Sequence, residues 1–174
     1  MGLLNMGMNQ PNFNEQLEYG KDFEERFSKH LMNKSYFVIP MYLNNKESAP
    51  LLYGKNEKFI LPDILAFREK PVWFECKRKA KMKVYPATGY PLHEHVSYKE
   101  VQKITNIKVF VIFEDSSLNN IWYGNWINEL DKHIFKNNWN FEERKHIVFN
   151  YPEAFKIIKS PLHREAGGVS QTTT

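Results

Sequence analysis

The stretch FILPDILAFREKPVWFECKRKAKMKVY, Phe59 to Tyr85, decides how the chain is read. It opens as a short apolar run interrupted by one carboxylate, Asp63, and Val72 to Lys77 is again rich in strand formers. Between them, Arg68-Glu69-Lys70-Pro71 has the composition of a turn, so the two runs are expected to form an antiparallel hairpin. Side chains alternate along a strand, which puts Glu75 and Lys77 on one face and Phe74 and Cys76 on the other. Strands pair about 4.8 Å apart, so Asp63, in register, would bring its carboxylate beside that of Glu75. Two close carboxylates repel and call for a cation. Mg²⁺ suits them because it takes hard oxygen ligands and keeps room for water and phosphate oxygens. Lys77 would then stand beside a metal-bound water, where nearby positive charge lowers an ammonium pKa toward that of a proton acceptor.

Acidic-x-Lys triplets alone carry no information. The chain has two, Glu75-Cys76-Lys77 and Glu143-Arg144-Lys145, about the number chance supplies. Pro62-Asp63 is the rarer element, and it lies in a strand-like run just before the strand of the first triplet.

Charge is concentrated in the same region. Arg68 to Lys83 holds seven basic and two acidic residues, a net of +5 against +4 for the whole chain of 174 residues. Lys77, Lys79, Lys81 and Lys83 alternate, and a strand continued that far would align them in one row leading away from Glu75. Such a row attracts a phosphate backbone, and it equally serves as a solvated edge that discourages aggregation.

Around this centre the chain is expected to form one domain, 15–166, with a loose leader over 1–14 and a disordered tail over 167–174. The 42% apolar and 15% aromatic content is globular rather than disordered. Cys76 is the only cysteine, which excludes an internal disulfide framework, and no signal segment is recognisable, so the expected location is cytoplasmic. The longest purely apolar run, Val109 to Phe113, is far too short to span a bilayer.

A helix is expected from about Glu15 to Met32, with Phe23, Phe27 and Leu31 as its apolar stripe. Glu24 falls about 60° from the stripe centre and Glu25 about 160°, so Glu24 can reach a site at the rim of the core. Ser35 to Leu43 reads as a strand, Asn44 to Lys58 as a loop or ragged hairpin, and Tyr85 to Pro91 as a turn with rings able to stack on a nucleic-acid strand. His93-Glu94-His95 lacks the partners a zinc site needs, so these histidines are read as capping or substrate-side residues. Ser97 to Asn106 reads as a helix burying Tyr98, Val101 and Ile104. Lys108 to Asp115 reads as a strand covered on both faces, joined in parallel to the Glu75 strand through that helix. Ile121 to Tyr123 and Ile147 to Phe149 are further strands; Trp126 to Phe135 and Pro152 to Ile158 are expected helices. Trp122, Trp126 and Trp139 are read as core or dimer contacts.

Pro62-Asp63 followed by Glu75-Cys76-Lys77 resembles the PD-(D/E)XK nuclease superfamily, and Gly20-Lys21-Asp22-Phe23-Glu24 resembles its first helix. The resemblance covers roughly Gly20 to Asp115. It implies an α/β, restriction endonuclease-like core, a central mixed β-sheet flanked by helices in αβββαβ order. It implies Mg²⁺, or Mn²⁺ in its place, held by Asp63, Glu75 and the backbone carbonyl of Cys76. Lys77 would orient or deprotonate the attacking water, and Glu24 would hold water or a second cation. The helix after the Glu-x-Lys strand would present a polar residue, Gln102 or in reserve Lys99. Lys79, Lys81, Lys83, Lys99 and Lys103 are candidates for phosphate contact, with DNA as the implied partner. The implied activity is DNA phosphodiester hydrolysis in bacterial or phage restriction, junction resolution, repair or recombination, with a homodimer as the simplest way to cut both strands. The alternative is an inactive nucleic-acid-binding or regulatory module on the same fold.

Overall fold

The computed structural model describes residues 13–41, 49–79, 87–115, 121–141 and 144–158. The chain begins with helix α1 (Phe13–Asn33), followed by strands β1 (Phe37–Pro40), β2 (Leu51–Tyr53), β3 (Lys58–Ile60), β4 (Ile64–Phe67), β5 (Pro71–Arg78) and β6 (Ala87–Pro91). Helix α2 (Leu92–Thr105) leads to β7 (Val109–Asp115) and β8 (Ile121–Trp126). A single turn of helix, α3 (Ile127–Leu130), and a 3-10 turn, Asp131–His133, precede β9 (Ile134–Phe141), β10 (Arg144–Asn150) and β11 (Lys156–Ile158).

Six strands build the central sheet in the order β1-β4-β5-β7-β8-β11. The β4–β5 hairpin is antiparallel with Phe67 opposite Pro71, and β5 pairs with β7 in parallel, so the sheet is mixed. The expected αβββαβ order is not the order of the whole chain. A β2–β3 hairpin interrupts the first strands, and β6, β10 and β9 form a separate three-stranded sheet.

The strand period of two divides the core into halves. On one face α1 lays Phe23, Phe27 and Leu31 against Ile64, Ala66, Phe74, Cys76, Ile112 and Trp122. On the other, Tyr98 and Val101 of α2 meet Trp73, Val109, Val111 and Phe113, joined by Tyr90, Ile147 and Phe149 of the smaller sheet. Glu75 pairs with Val111 and Lys77 with Phe113, which assigns both to the α2 face.

Several expected elements are revised. Of the described part of the expected Ser35–Leu43 strand, Phe37–Pro40 is β1, and Ser35, at φ 65°, turns the chain before it. Tyr85–Pro91 is no simple turn: its second half is β6, paired with β10, and Tyr90 is fully buried, so its ring is closed to nucleic acid. The turn-like glycine is there for close approach, because a Cβ on Gly89 would stand 2.1 Å from the Ile147 carbonyl oxygen. Of Trp126–Phe135, Ile127–Leu130 is α-helical and Asp131–His133 a 3-10 turn, but Ile134 onward pairs with β10. Pro152–Ile158 is a turn followed by β11, whose β-branched residues complete the sheet beside β8. Ile104 is 55% exposed rather than buried. Most of the leader, Lys81, Lys83 and the tail lie outside the described residues. Among those described, no helix is long and apolar enough to cross a membrane.

Candidate active site

Pro62 ends the β4 ladder, and Asp63 takes over its last bonds. The Asp63 carbonyl accepts from the Met41 N–H at 2.7 Å, and its Oδ2 accepts from the Cys76 N–H at 2.8 Å. That second bond fixes the carboxylate beside β5, one residue from Glu75. Cys76 itself turns its side chain into the α1-side core, so only its backbone borders this group.

Lys77 is the centre of the cluster. Its Nζ lies 2.5 Å from Glu75 Oε1 and 2.7 Å from Glu94 Oε2, the latter supplied by the first turn of α2. The Tyr90 and Tyr98 rings flank the ammonium at 5.8 and 6.0 Å from their centroids, within cation–π range. Burial alone would push the Lys77 ammonium down, but Glu75, Glu94 and Asp63 outweigh it and hold it well above its ordinary value. The surrounding acids thus favour the charged ammonium of Lys77.

The acids respond in the opposite sense. Desolvation, reinforced by the neighbouring Glu24 charge, raises Asp63 to about 7. Desolvation and the charge of Glu75 raise Glu24 to about 7. Glu75, 1% exposed, is pushed well above the carboxylate range by burial and then by Asp63. Glu24, arriving from α1, is therefore electrically part of the cluster. Its Oε2 and the Oε2 of Glu75 are buried and have no hydrogen-bond partner among the described residues. Such oxygens normally find a donor or an ion. As hard oxygen donors left without partners, they are of the kind a divalent cation such as Mg²⁺ takes. Among the described residues, however, no three His, Cys, Asp or Glu side chains stand together as a ready cage, and Lys77 is the partner of Glu75 and Glu94.

Compared with solved structures, this chain is similar to Hjc, a Holliday junction resolvase from the archaeal hyperthermophile Archaeoglobus fulgidus, with a TM-score of 0.51 over 76% of this chain and 88% of that one. The two share a mixed α/β fold built on a central sheet, and this is consistent with a restriction-endonuclease-like fold. At 14% identity the likeness is one of fold alone. No family profile and no curated protein matches the sequence.

Other residues singled out in the sequence lie elsewhere. Gln102 accepts from the Val109 N–H and donates to Asn128, each at 3.0 Å, tying the C-terminal half of α2 to β7 and α3. The polar residue α2 presents to Lys77 is Glu94 instead. Lys99 pairs with Asp131, and exposed Lys103 pairs with Glu100 on its own helix. Lys79 is exposed at the end of β5. His93 points outward while His95 is 3% exposed and hydrogen-bonded inside the protein, so the two neither share a ligand nor cap α2. Glu94 was hidden because the helix was expected to start at Ser97. With the start at Leu92, Glu94 falls four residues before Tyr98, on the same inward stripe, and that spacing is its signal in the sequence.

Proposed function

We propose that the chain is a metal-dependent nuclease that hydrolyses DNA phosphodiester bonds, with Asp63, Glu75 and Lys77 as its central residues. The observation that carries the reading is the meeting of acids from β5 and from the residue leading into β4 around a partly buried lysine, with unpartnered carboxylate oxygens, on a resolvase-like fold.

Asp63, Glu75 and the Cys76 carbonyl would hold Mg²⁺ or Mn²⁺, with Glu24 contributing through water or directly. A bound divalent cation supplies charge stabilisation to the phosphate oxygens and acidifies a coordinated water. The acids around Lys77 favour its charged form. Its role is to orient the attacking water and to donate a charge-assisted hydrogen bond toward a phosphate oxygen as negative charge builds there. Glu94 holds the ammonium in place, and Tyr90 and Tyr98 exclude water from its flanks. Lys79, and Lys81 and Lys83 beyond it in sequence, continue the basic row along which a phosphate backbone would lie. One site cuts one strand, so cleavage of both strands calls for two copies of the chain.

The test is cleavage of single-stranded, duplex and four-way-junction DNA with Mg²⁺, Mn²⁺ or EDTA. Metal-dependent cutting by the wild type should fall by at least about 10²-fold in Asp63→Ala and Lys77→Ala, the scale of losing one electrostatic stabiliser. Salt-sensitive binding without cutting would instead make the chain a nucleic-acid-binding module.

A further inference from the structure

A buried polar chain lies behind the lysine. The Tyr90 hydroxyl is 2.7 Å from His95 Nδ1, and His95 Nε2 is 2.8 Å from Asp131 Oδ1. A carboxylate only accepts, so Nε2 carries the ring proton and donates to Asp131, while Nδ1 accepts from Tyr90. Burial lowers the His95 pKa against the opposing pull of Asp131, in keeping with a neutral imidazole. Lys99 holds Asp131 from the outside. The chain thus links β6, α2 and the 3-10 turn after α3. Tyr90 is 0% exposed and His95 3%, so neither serves as a surface contact.

Two members of this chain, Tyr90 and His95, bear on Lys77. The Tyr90 hydroxyl is directed to His95, leaving its ring facing the Lys77 ammonium. His95 follows Glu94 in α2, and neighbouring helical residues differ in direction by about 100°. Fixing His95 against Asp131 therefore fixes the rotation at which Glu94 meets Lys77.

We propose that Asp131, His95 and Tyr90 form a positioning relay that fixes Lys77 from two sides, through the Tyr90 ring and through the setting of Glu94. None of the three touches the reacting atoms. The proposal rests on the reading of Lys77 as the cation of a hydrolytic site, so one arm of its test does not use activity.

The first arm is NMR of the Lys77 side chain, whose methylene protons next to Nζ should be shifted upfield by the Tyr90 and Tyr98 rings. The second is steady-state cleavage with Mg²⁺, and melting temperature monitors folding. In His95→Leu the upfield shift should shrink and kcat should fall about tenfold with KM unchanged, as for a modest misplacement of a reacting group. Tyr90→Phe keeps the ring and breaks the chain, and should move both readouts in the same direction by less. His95→Gln, whose amide can accept from Tyr90 and donate to Asp131, should restore both to within about twofold of wild type. A lower melting temperature with Lys77 resonances unmoved in either disruptive variant would overturn the proposal and leave a purely structural network. If His95→Leu does not fold, Tyr90→Phe decides. If the wild type cuts no DNA yet the resonances move as described, the relay stands and the nuclease reading falls.

Discussion

The two central strands each bury a glutamate, on opposite faces of the sheet, and the two are kept in opposite ways. Glu114 of β7, on the α1 side, is 0% exposed and has every need met. Arg26 grips both oxygens at 2.6 and 2.7 Å, Trp122 Nε1 donates at 2.9 Å, and Arg78 Nε stands at 3.3 Å. Glu75 of β5, on the α2 side, is buried almost as completely, yet it has one lysine on Oε1 and a bare Oε2, with two further carboxylates close enough to raise its pKa. One face neutralises its acid with bidentate arginine geometry, which welds helix to sheet. The other gathers more negative charge than it neutralises, a costly arrangement in a protein interior unless something else is meant to bind.

The largest expected effect comes from exchanging the two acids for amides. Glu75→Gln should cost at least about 10²-fold in metal-dependent cleavage, while the melting temperature holds or rises because a strained buried charge is removed. Glu114→Gln should do the reverse, losing about 3 kcal/mol as Arg26 and Arg78 are left partly uncompensated, while cleavage well below the melting temperature persists. In a chain of this size that loss is a drop of roughly 10 °C. The same melting and cleavage pair on both variants would break the comparison if Glu75→Gln destabilised and Glu114→Gln inactivated.

Acidity sharpens the contrast next. Asp63 and Glu24 are both raised to about 7, so between their unfolded values and pH 7 the folded protein binds more protons than the unfolded chain. Stability therefore falls as pH rises through that window and stays reduced above it, the reverse of the usual salt-bridged carboxylate. Without metal, these two groups should lower stability between pH 5 and 8 by up to about 5 kcal/mol in total, less to the extent that their protonations are coupled. Mg²⁺, which binds the deprotonated acids, should raise the melting temperature more at pH 8 than at pH 5. Thermal melts in EDTA and in Mg²⁺ check this, with Asp63→Asn as the control that should flatten the EDTA profile. A metal-free melting temperature that rises from pH 5 to 8, equally in the wild type and Asp63→Asn, would remove Asp63 from the cluster.

How much of this was legible in the sequence follows the same division. The α1 stripe of Phe23, Phe27 and Leu31, the β4–β5 hairpin and the β5–β7 pairing were readable, because local period and turn chemistry agree with the tertiary structure there. Glu24 was placed by angle alone, and its coupling to Asp63 is a property of that angle. The smaller sheet was not readable. Ala87-Thr88-Gly89-Tyr90-Pro91 has turn composition, and only β10, more than fifty residues later, makes it a strand. The same distant partner turns Ile134 and Phe135 from an expected helix into β9. Gln102 looked suitable because it is polar and off the buried stripe, but its amide supplies the missing acceptor for the Val109 N–H at the start of β7. Glu114 drew no attention because nothing near it in sequence announces Arg26, 88 residues away.

The smallest expected effect concerns Glu94, the acid that sequence reasoning passed over. It shares Lys77 with Glu75 at 2.7 Å and receives only a long contact from the Tyr98 hydroxyl at 3.5 Å. If Glu94 were a ligand for the metal, its amide variant would weaken metal binding and raise the concentration of Mg²⁺ needed for cleavage. If it steers Lys77, Glu94→Gln keeps an oxygen that can accept from the ammonium and loses only the charge. Activity should then fall by about tenfold or less at saturating Mg²⁺, with the half-saturating Mg²⁺ concentration unchanged, since Glu75 and Asp63 are untouched. Titrating cleavage against Mg²⁺ in the wild type and Glu94→Gln separates these outcomes. A shift in the metal midpoint would move Glu94 from the lysine's side of the site to the metal's, and the acid-rich face would then hold four carboxylates around one cation.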